Sequence, residues 1–281
     1  MTKRWIIRKY DVNLQRMFSR QLGIPALLAQ LLINRELDNP EAASKFLNPR
    51  IDDFLNPWDL PDIKKAVSRI KRALQNKESI LICGDYDVDG ISACAILNKI
   101  LRGAEADIQY YIPHRIKEGY GISKEAVRLA KEQKKTLVIS VDCGISDYEE
   151  LAELKKAGID TIVIDHHMPL EDGLPDAYAI VNPKRKDSRY PFRELAAVGV
   201  VLKVAQALMD DLLEEELDLV ALGTVADVVP LLDENRVFAK FGLKALAAST
   251  NPGIRAILET TGLSGTDLRA VSYTHLTLPT N

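Results

Sequence analysis

Ser79-Ile-Leu-Ile-Cys83-Gly84-Asp85-Tyr86-Asp87-Val88-Asp89-Gly90 is the stretch on which the fold turns. Its opening residues, apolar after Ser79 and rich in isoleucine, have the length and composition of a buried strand, and an acidic turn closes them. From Ile91 to Leu101 apolar residues then recur at helical spacing. The alternation continues downstream, with strand-like runs at Ile108 to Ile112, Leu137 to Val141, Thr161 to Ile164 and Ala177 to Val181. Helical patterns at Ser123 to Gln133 and Asp147 to Ala157 separate them. This rhythm predicts an α/β fold, a parallel five-stranded sheet with helices on both faces.

Upstream, residues 1 to 75 carry helical periodicity broken by Pro25, Pro40, Pro57 and Pro61, ending in an amphipathic segment from Ile63 to Leu74. They are predicted to form a helical N-terminal cap, with residues 76–271 as the catalytic domain. Leu195 to Met209, Glu216 to Ala226, Val237 to Ala248 and Ile254 to Thr261 read as further helices. Residues 272–281, with three threonines and no periodicity, are expected to be a non-native or disordered tail.

The 281 residues are 47% hydrophobic and 27% charged, which suits a packed globular chain and excludes a disordered one. The longest apolar run, Leu195 to Leu202, falls far short of the roughly 20 residues of a membrane-crossing helix, and the N-terminus lacks a signal peptide's apolar region. A cytoplasmic protein is expected, with no membrane partner. Cys83, Cys94 and Cys143 are odd in number and lack zinc-site spacing, so they are read as reduced thiols. A net charge of −3 leaves no global basic footprint for nucleic acid. Cations bound by carboxylates would restore positive charge where a phosphate sits, so this balance does not decide the partner.

Acidic clusters follow three of the strands: Asp85-Tyr-Asp87-Val-Asp89, Asp142-Cys-Gly144 and Asp165-His166-His167. In an open parallel sheet the carboxyl ends share one edge, so these clusters converge on one rim. Carboxylates crowded together repel unless cations neutralise them or some stay protonated. The alternating Asp85, Asp87 and Asp89 suit a hard cation or, more blandly, a capping cluster. A calcium loop is excluded, because Ile96 stands where its twelfth-position Glu would be. Adjacent residues on an extended segment point to opposite sides, so one of His166 and His167 is predicted to ligate a metal and the other to face a phosphate. Mixed carboxylate and imidazole ligation favours manganese, with magnesium, zinc and iron as alternatives. Asp227 lies in apolar surroundings and needs a cation or a set of hydrogen bonds.

Gly84-Asp-Tyr-Asp-Val-Asp-Gly90, Asp142-Cys-Gly144, Asp165-His-His167 and Gly223-Thr-Val-Ala-Asp-Val-Val-Pro-Leu231 with Glu234-Asn235-Arg236 resemble the ordered motifs of the DHH phosphoesterases. Within that family the flavour is that of the RecJ-type single-stranded-DNA exonucleases, and Pro113 to Gly121 and Asn182-Pro183 also fit their pattern. The resemblance implies two manganese ions, with magnesium as the alternative. Asp87, Asp89, Asp142, His166 and Asp227 would be ligands, Asp142 bridging both ions, and Asp85 a ligand or a residue supporting one. His167 would contact phosphate, and Asp165 would orient the histidine pair. The implied activity is 5′-to-3′ hydrolysis of single-stranded DNA to mononucleotides in recombination and repair, with single-strand-binding protein and a helicase as partners.

His114, Arg115 and Lys117, in the loop after the second strand, are candidates for the DNA backbone, and Tyr120 for stacking a base or packing its loop. Lys184, Arg185, Lys186 and Arg189 form a second basic run. The resemblance also implies a longer protein, with a second domain and an oligonucleotide-binding barrel, so this chain is expected to be a truncated catalytic portion. Two other readings stand beside it: a small-substrate phosphodiesterase or pyrophosphatase, disfavoured because Cys83 stands where those relatives carry histidine, and an inactive fragment or scaffold.

Overall fold

The computed structural model describes residues 11–37, 39–171 and 173–263. The expected tail at 272–281 lies outside them. The chain divides into two compact units, residues 1–53 and 54–281.

In the first unit, helices α1 (Val12–Leu22), α2 (Ala26–Ile33) and α3 (Pro40–Leu47) pack around Phe18, Ala29, Leu32 and Ala43. Asp11 and Asn39 cap α1 and α3 through their side chains, satisfying amides that a helix start leaves bare.

The second unit opens with a 3₁₀ turn, Pro57–Asp59, and helix α4 (Ile63–Gln75). Strands β1 (Ser79–Gly84), β2 (Asp107–Tyr111), β3 (Leu137–Val141), β4 (Asp160–Ile164) and β5 (Ala179–Val181) form one sheet in the order β2-β1-β3-β4-β5, all parallel. Between them run α5 (Val88–Gly103), α6 (Lys124–Glu132) and α7 (Tyr148–Lys156), and after them α8 (Ala197–Met209), α9 (Leu217–Ala226), α10 (Asp233–Ala247) and α11 (Pro252–Thr260).

The period-2 alternation of the strands sorts their residues between two cores. Leu81, Cys83, Val138, Val163 and Ile180 pack with residues of α6 and α7. The alternate residues, Ile80, Ile82, Ile139, Ile162 and Ile164, are equally buried, and α4, α5 and α8 pack on the sheet from their own elements. Both faces being covered explains why the strands read as unbroken apolar runs. All three cysteines are buried and free.

Several details differ from the sequence reading. β5 is only Ala179–Val181, and α10 begins at Asp233, four residues before the expected Val237. Helix α4, assigned above to the N-terminal cap, packs on α8 and β5 within the second unit, burying Ile63, Ala66, Val67 and Ile70, and its Arg69 pairs with Glu78 (2.7 Å) and Asp160 (2.5 Å).

Candidate metal centre

Sheet register assembles the site. Gly84, Val141, Ile164 and Val181 are paired across β1, β3, β4 and β5, so the residues that follow, Asp85, Asp142, Asp165 and Asn182, leave the sheet at neighbouring points. Adjacent strands lie about 4.8 Å apart, close enough for successive carboxylates to share a ligand. Between β1 and β3 the strand order also reverses, the place where open α/β sheets form a crevice.

The turn after β1 combines both readings of its aspartates. Asp87 is the N-cap of α5, accepting the Gly90 amide at 2.9 Å, and it also offers an oxygen to a group with Asp85 and Asp142. Gly90 is required by close approach, since a Cβ there would sit 2.8 Å from the Asp85 backbone nitrogen and oxygen. Asp89 is 1% exposed and accepts the amides of Ala197 (2.7 Å) and Val198 (2.8 Å). It therefore caps α8, whose own N-cap residue, Ala196, has no side chain able to do so.

His166 and His167 do not point to opposite sides, as an extended segment would require. The Asp165 carboxylate accepts the amides of His166 (2.7 Å) and His167 (3.0 Å) and turns the chain out of β4. The two rings lie 4.4 Å apart, with His166 Nε2 3.4 Å and His167 Nδ1 3.8 Å from Asp142 Oδ1. Asp165 also meets His167 Nδ1 at 2.8 Å, fixing that ring, while Asn182 Nδ2 donates to the His167 carbonyl at 2.9 Å.

Asp227, at the end of α9, brings Oδ2 to 3.7 Å from His166 Nε2. Its helix comes close because Gly223 carries no side chain, and a Cβ there would lie 3.0 Å from Asp89 Oδ1. The turn after Asp227 is held by Asn235, which donates to the carbonyls of Glu194 and Pro230.

Three groups of donor atoms result, each within 4.8 Å internally: Asp85, Asp87 and Asp142; Asp89, His166 and Asp227; Asp142, His166 and His167. Asp142 and His166 each belong to two of them. Asp85 Oδ1, Asp142 Oδ1 and both ring nitrogens of His166 are buried without a hydrogen-bond partner. Buried polar atoms are normally paired, so these four, aimed into a set of hard carboxylates and imidazoles, fit divalent cations.

Electrostatics agree. Burial, reinforced by neighbouring carboxylates, pushes Asp142 up to about 9 and Asp89 up to about 8, and burial also raises Asp85 and Asp227. Burial alone would raise Asp165, but hydrogen bonds and charge from His167 outweigh it and lower its pKa. The hydrogen bond that His167 donates to the Asp165 carboxylate in turn holds His167 up at about 9.

A pH dependence follows. The fold keeps the Asp142 proton up to about 9, whereas the ordinary value is 3.8, so across that window the native state binds more protons and stability falls as pH rises. His167 acts in the same sense, its contribution complete below 6.5 and lost as pH climbs through about 9. The melting temperature of the metal-stripped chain is thus expected to fall over this range, and manganese to oppose the fall, because ligand carboxylates must ionise to bind it. A metal-free profile that is flat, or that rises with pH, contradicts this.

The other candidates lie as follows. Tyr120 donates its hydroxyl to the Asp142 carbonyl (3.0 Å) and sits 3.0 Å from His167 Nδ1, so it braces the site, a role the sequence reading missed. The Arg115 guanidinium lies 5.1 Å from the centre of the Tyr86 ring, on the turn of the acidic motif. His114 is engaged within its own turn, its Nδ1 accepting the Ile116 amide at 3.3 Å. Lys117 lines, with Tyr120, Ser123 and Glu150, a cleft of about 340 Å³ whose lining lacks the clustered ligands above. Of the second basic run, Arg185 is not available to a phosphate: it is buried and bonded to Asp62, Asp187 and the Ile180 carbonyl. Lys184 pairs with Glu194 at 3.5 Å, whereas Lys186 and Arg189 are exposed.

Comparison with known proteins adds relatives to this geometry. The family model described as "DHH family, N-terminal domain" matches residues 79–224. The single-stranded-DNA-specific exonuclease RecJ of Bacillus subtilis is 42% identical over 265 residues, which are 94% of this chain and 33% of that protein. A crystal structure of exonuclease RecJ bound to manganese superposes with a TM-score of 0.68 at 35% identity, covering 75% of this chain and 54% of the other. RecJ of Thermus thermophilus in complex with Mn2+ gives 0.76 at 29% identity, covering 92% of this chain and 37% of the other. The chain thus spans about a third of the length of the Bacillus relative.

Proposed function

Since this chain belongs to the DHH family, we propose that it carries the catalytic centre of a RecJ-type exonuclease, a metal-dependent hydrolase that degrades single-stranded DNA from its 5′ end to mononucleotides in recombination and repair. The observation that carries the reading is the set of buried, unpartnered ligand atoms on Asp85, Asp142 and His166 at the crevice between β1 and β3. The relatives' names supply the substrate.

Asp85, Asp87 and Asp142 would hold one manganese ion, or magnesium in its place, and Asp89, His166 and Asp227 with Asp142 the second. When bound, such a pair supplies Lewis-acid polarisation of a phosphoryl oxygen and acidifies an attacking water. The remaining steps belong to side chains. His167, kept cationic at neutral pH by Asp165 and with 43% of its side chain exposed, binds a non-bridging phosphate oxygen. Asp165 and Tyr120 hold that ring, so it need not reorganise when the phosphate arrives. Arg115 and Lys117, on the loop after β2, meet the DNA backbone beyond the scissile bond. Among the described residues no helix is long and apolar enough to cross a membrane. A cytoplasmic location, with single-strand-binding protein and a helicase as partners, accords with the role proposed.

The test is incubation of the chain with manganese and a 5′-labelled single-stranded oligonucleotide, with pyrophosphate and a dinucleotide as competing substrates. Labelled mononucleotide is expected. Turnover of pyrophosphate or dinucleotide with the oligonucleotide left intact would assign the chain to small substrates instead.

A further inference from the structure

With cations in place the donor cluster would hold a phosphate, but its carboxylates and imidazoles offer little to the carbon-rich part of a nucleotide. Yet three residues next to its members in sequence are apolar and exposed: Val88, between Asp87 and Asp89, is 42% exposed, Met168, beside His167, 69%, and Val228, beside Asp227, 69%.

Val228 is the informative one. Helix α9 ends with the Asp227 amide bonded to the Gly223 carbonyl (3.0 Å) and the Val228 amide to that of Val225 (3.3 Å). Val228 then has φ +59°, a left-handed conformation in the position past a helix end where glycine is the usual occupant. A β-branched residue is strongly disfavoured there, because its Cβ substituents crowd the backbone. Nor does core packing compensate for the strain, the residue being largely exposed. Glycine or asparagine would suit this turn better, so the valine side chain serves something outside the fold. Strain of this kind concentrates at functional sites.

We propose that Val228 is a specificity-determining residue whose side chain packs against the deoxyribose and base of the nucleotide whose phosphate the cluster takes. This rests on the nucleic-acid reading above and narrows it, since inorganic pyrophosphate has no carbon surface for such a contact.

Val228→Gly and Val228→Asn both accept positive φ. They are compared with the parent chain by thermal melting, by manganese calorimetry, and by anisotropy of a short 3′-fluorescein phosphorothioate oligonucleotide in manganese. Both variants are expected to melt no lower than the parent and to bind manganese equally. Their affinity for the oligonucleotide should drop about three- to tenfold, the loss for one exposed aliphatic contact. The drop should shrink on an abasic strand of the same length, and Val228→Ile should restore affinity. Parental oligonucleotide affinity in both variants overturns the proposal, as does an equal loss on the abasic strand. A lower melting temperature in Val228→Gly overturns it too, showing that the side chain serves the fold. A parent chain that binds manganese but no oligonucleotide overturns the nucleic-acid reading itself.

Discussion

Replacing Asp142 by asparagine is expected to abolish tight manganese binding and to lower phosphodiester hydrolysis on the order of a thousandfold, since a two-cation clamp contributes several kcal/mol of transition-state stabilisation. Asp142 is 2% exposed, contributes to two of the three donor groups and leaves Oδ1 without a hydrogen bond. The substitution is gentle on the backbone. Asp142 has φ +62°, which asparagine tolerates, and its amide and carbonyl bonds to Ile164 and Tyr120 do not involve the side chain. Asparagine also removes the cost of keeping a buried carboxyl protonated at neutral pH, which burial and then the neighbouring Asp87 and Asp165 impose. The metal-free variant should therefore melt at or above the parent, while the rise that manganese confers on the parent disappears. Calorimetry and thermal melts check both halves. A variant that keeps its manganese-induced rise would remove Asp142 from the ligand set.

Glu234→Ala should destabilise the chain by about 3–5 kcal/mol, the usual effect of removing one partner from a buried ion pair. Glu234 and Lys203 are both fully buried and paired with each other. Glu234 also accepts the Leu55 amide at 2.9 Å and the Tyr190 hydroxyl, and Lys203 donates to the Leu55 carbonyl at 3.0 Å. Alanine strands an ammonium whose pKa burial already lowers, together with two unpaired polar groups. Lys203→Met added to Glu234→Ala should recover part of the loss, because it removes the stranded charge. Urea unfolding of the single and double variants measures this, and a single-variant loss below about 1 kcal/mol would contradict the pairing. The site should suffer as well, since the neighbouring Asn235 holds the turn beyond Asp227.

Much of the architecture is legible in the residues. Unbroken apolar runs of strand length mark a sheet covered on both faces, and Asp85, Asp142 and Asp165 mark the ends of three of its strands. Harder to read were contacts between segments remote in the chain. Nothing local tells that Asp89 caps a helix beginning 108 residues later, although the Ala196-Ala197 start without a capping side chain hints at a donated cap. The expectation that the histidines diverge followed from strand geometry. It failed because the Asp165 carboxylate captures two amides and ends the strand. Arg185 read as a surface cation, but its guanidinium closes a link between Asp62 and Asp187.

The amino-acid sequence by itself determined the parallel sheet and the rim on which the acidic clusters gather, because a period of two and an in-register ladder make the residue past each strand end a neighbour of the next. Only the tertiary structure decided which of those groups meet. The approach of α9 along Gly223, the docking of the α8 amides on Asp89 and the brace of Tyr120 on Asp142 depend on how helices cross the sheet. That crossing is set by packing summed over the whole core, which no local pattern of residues encodes.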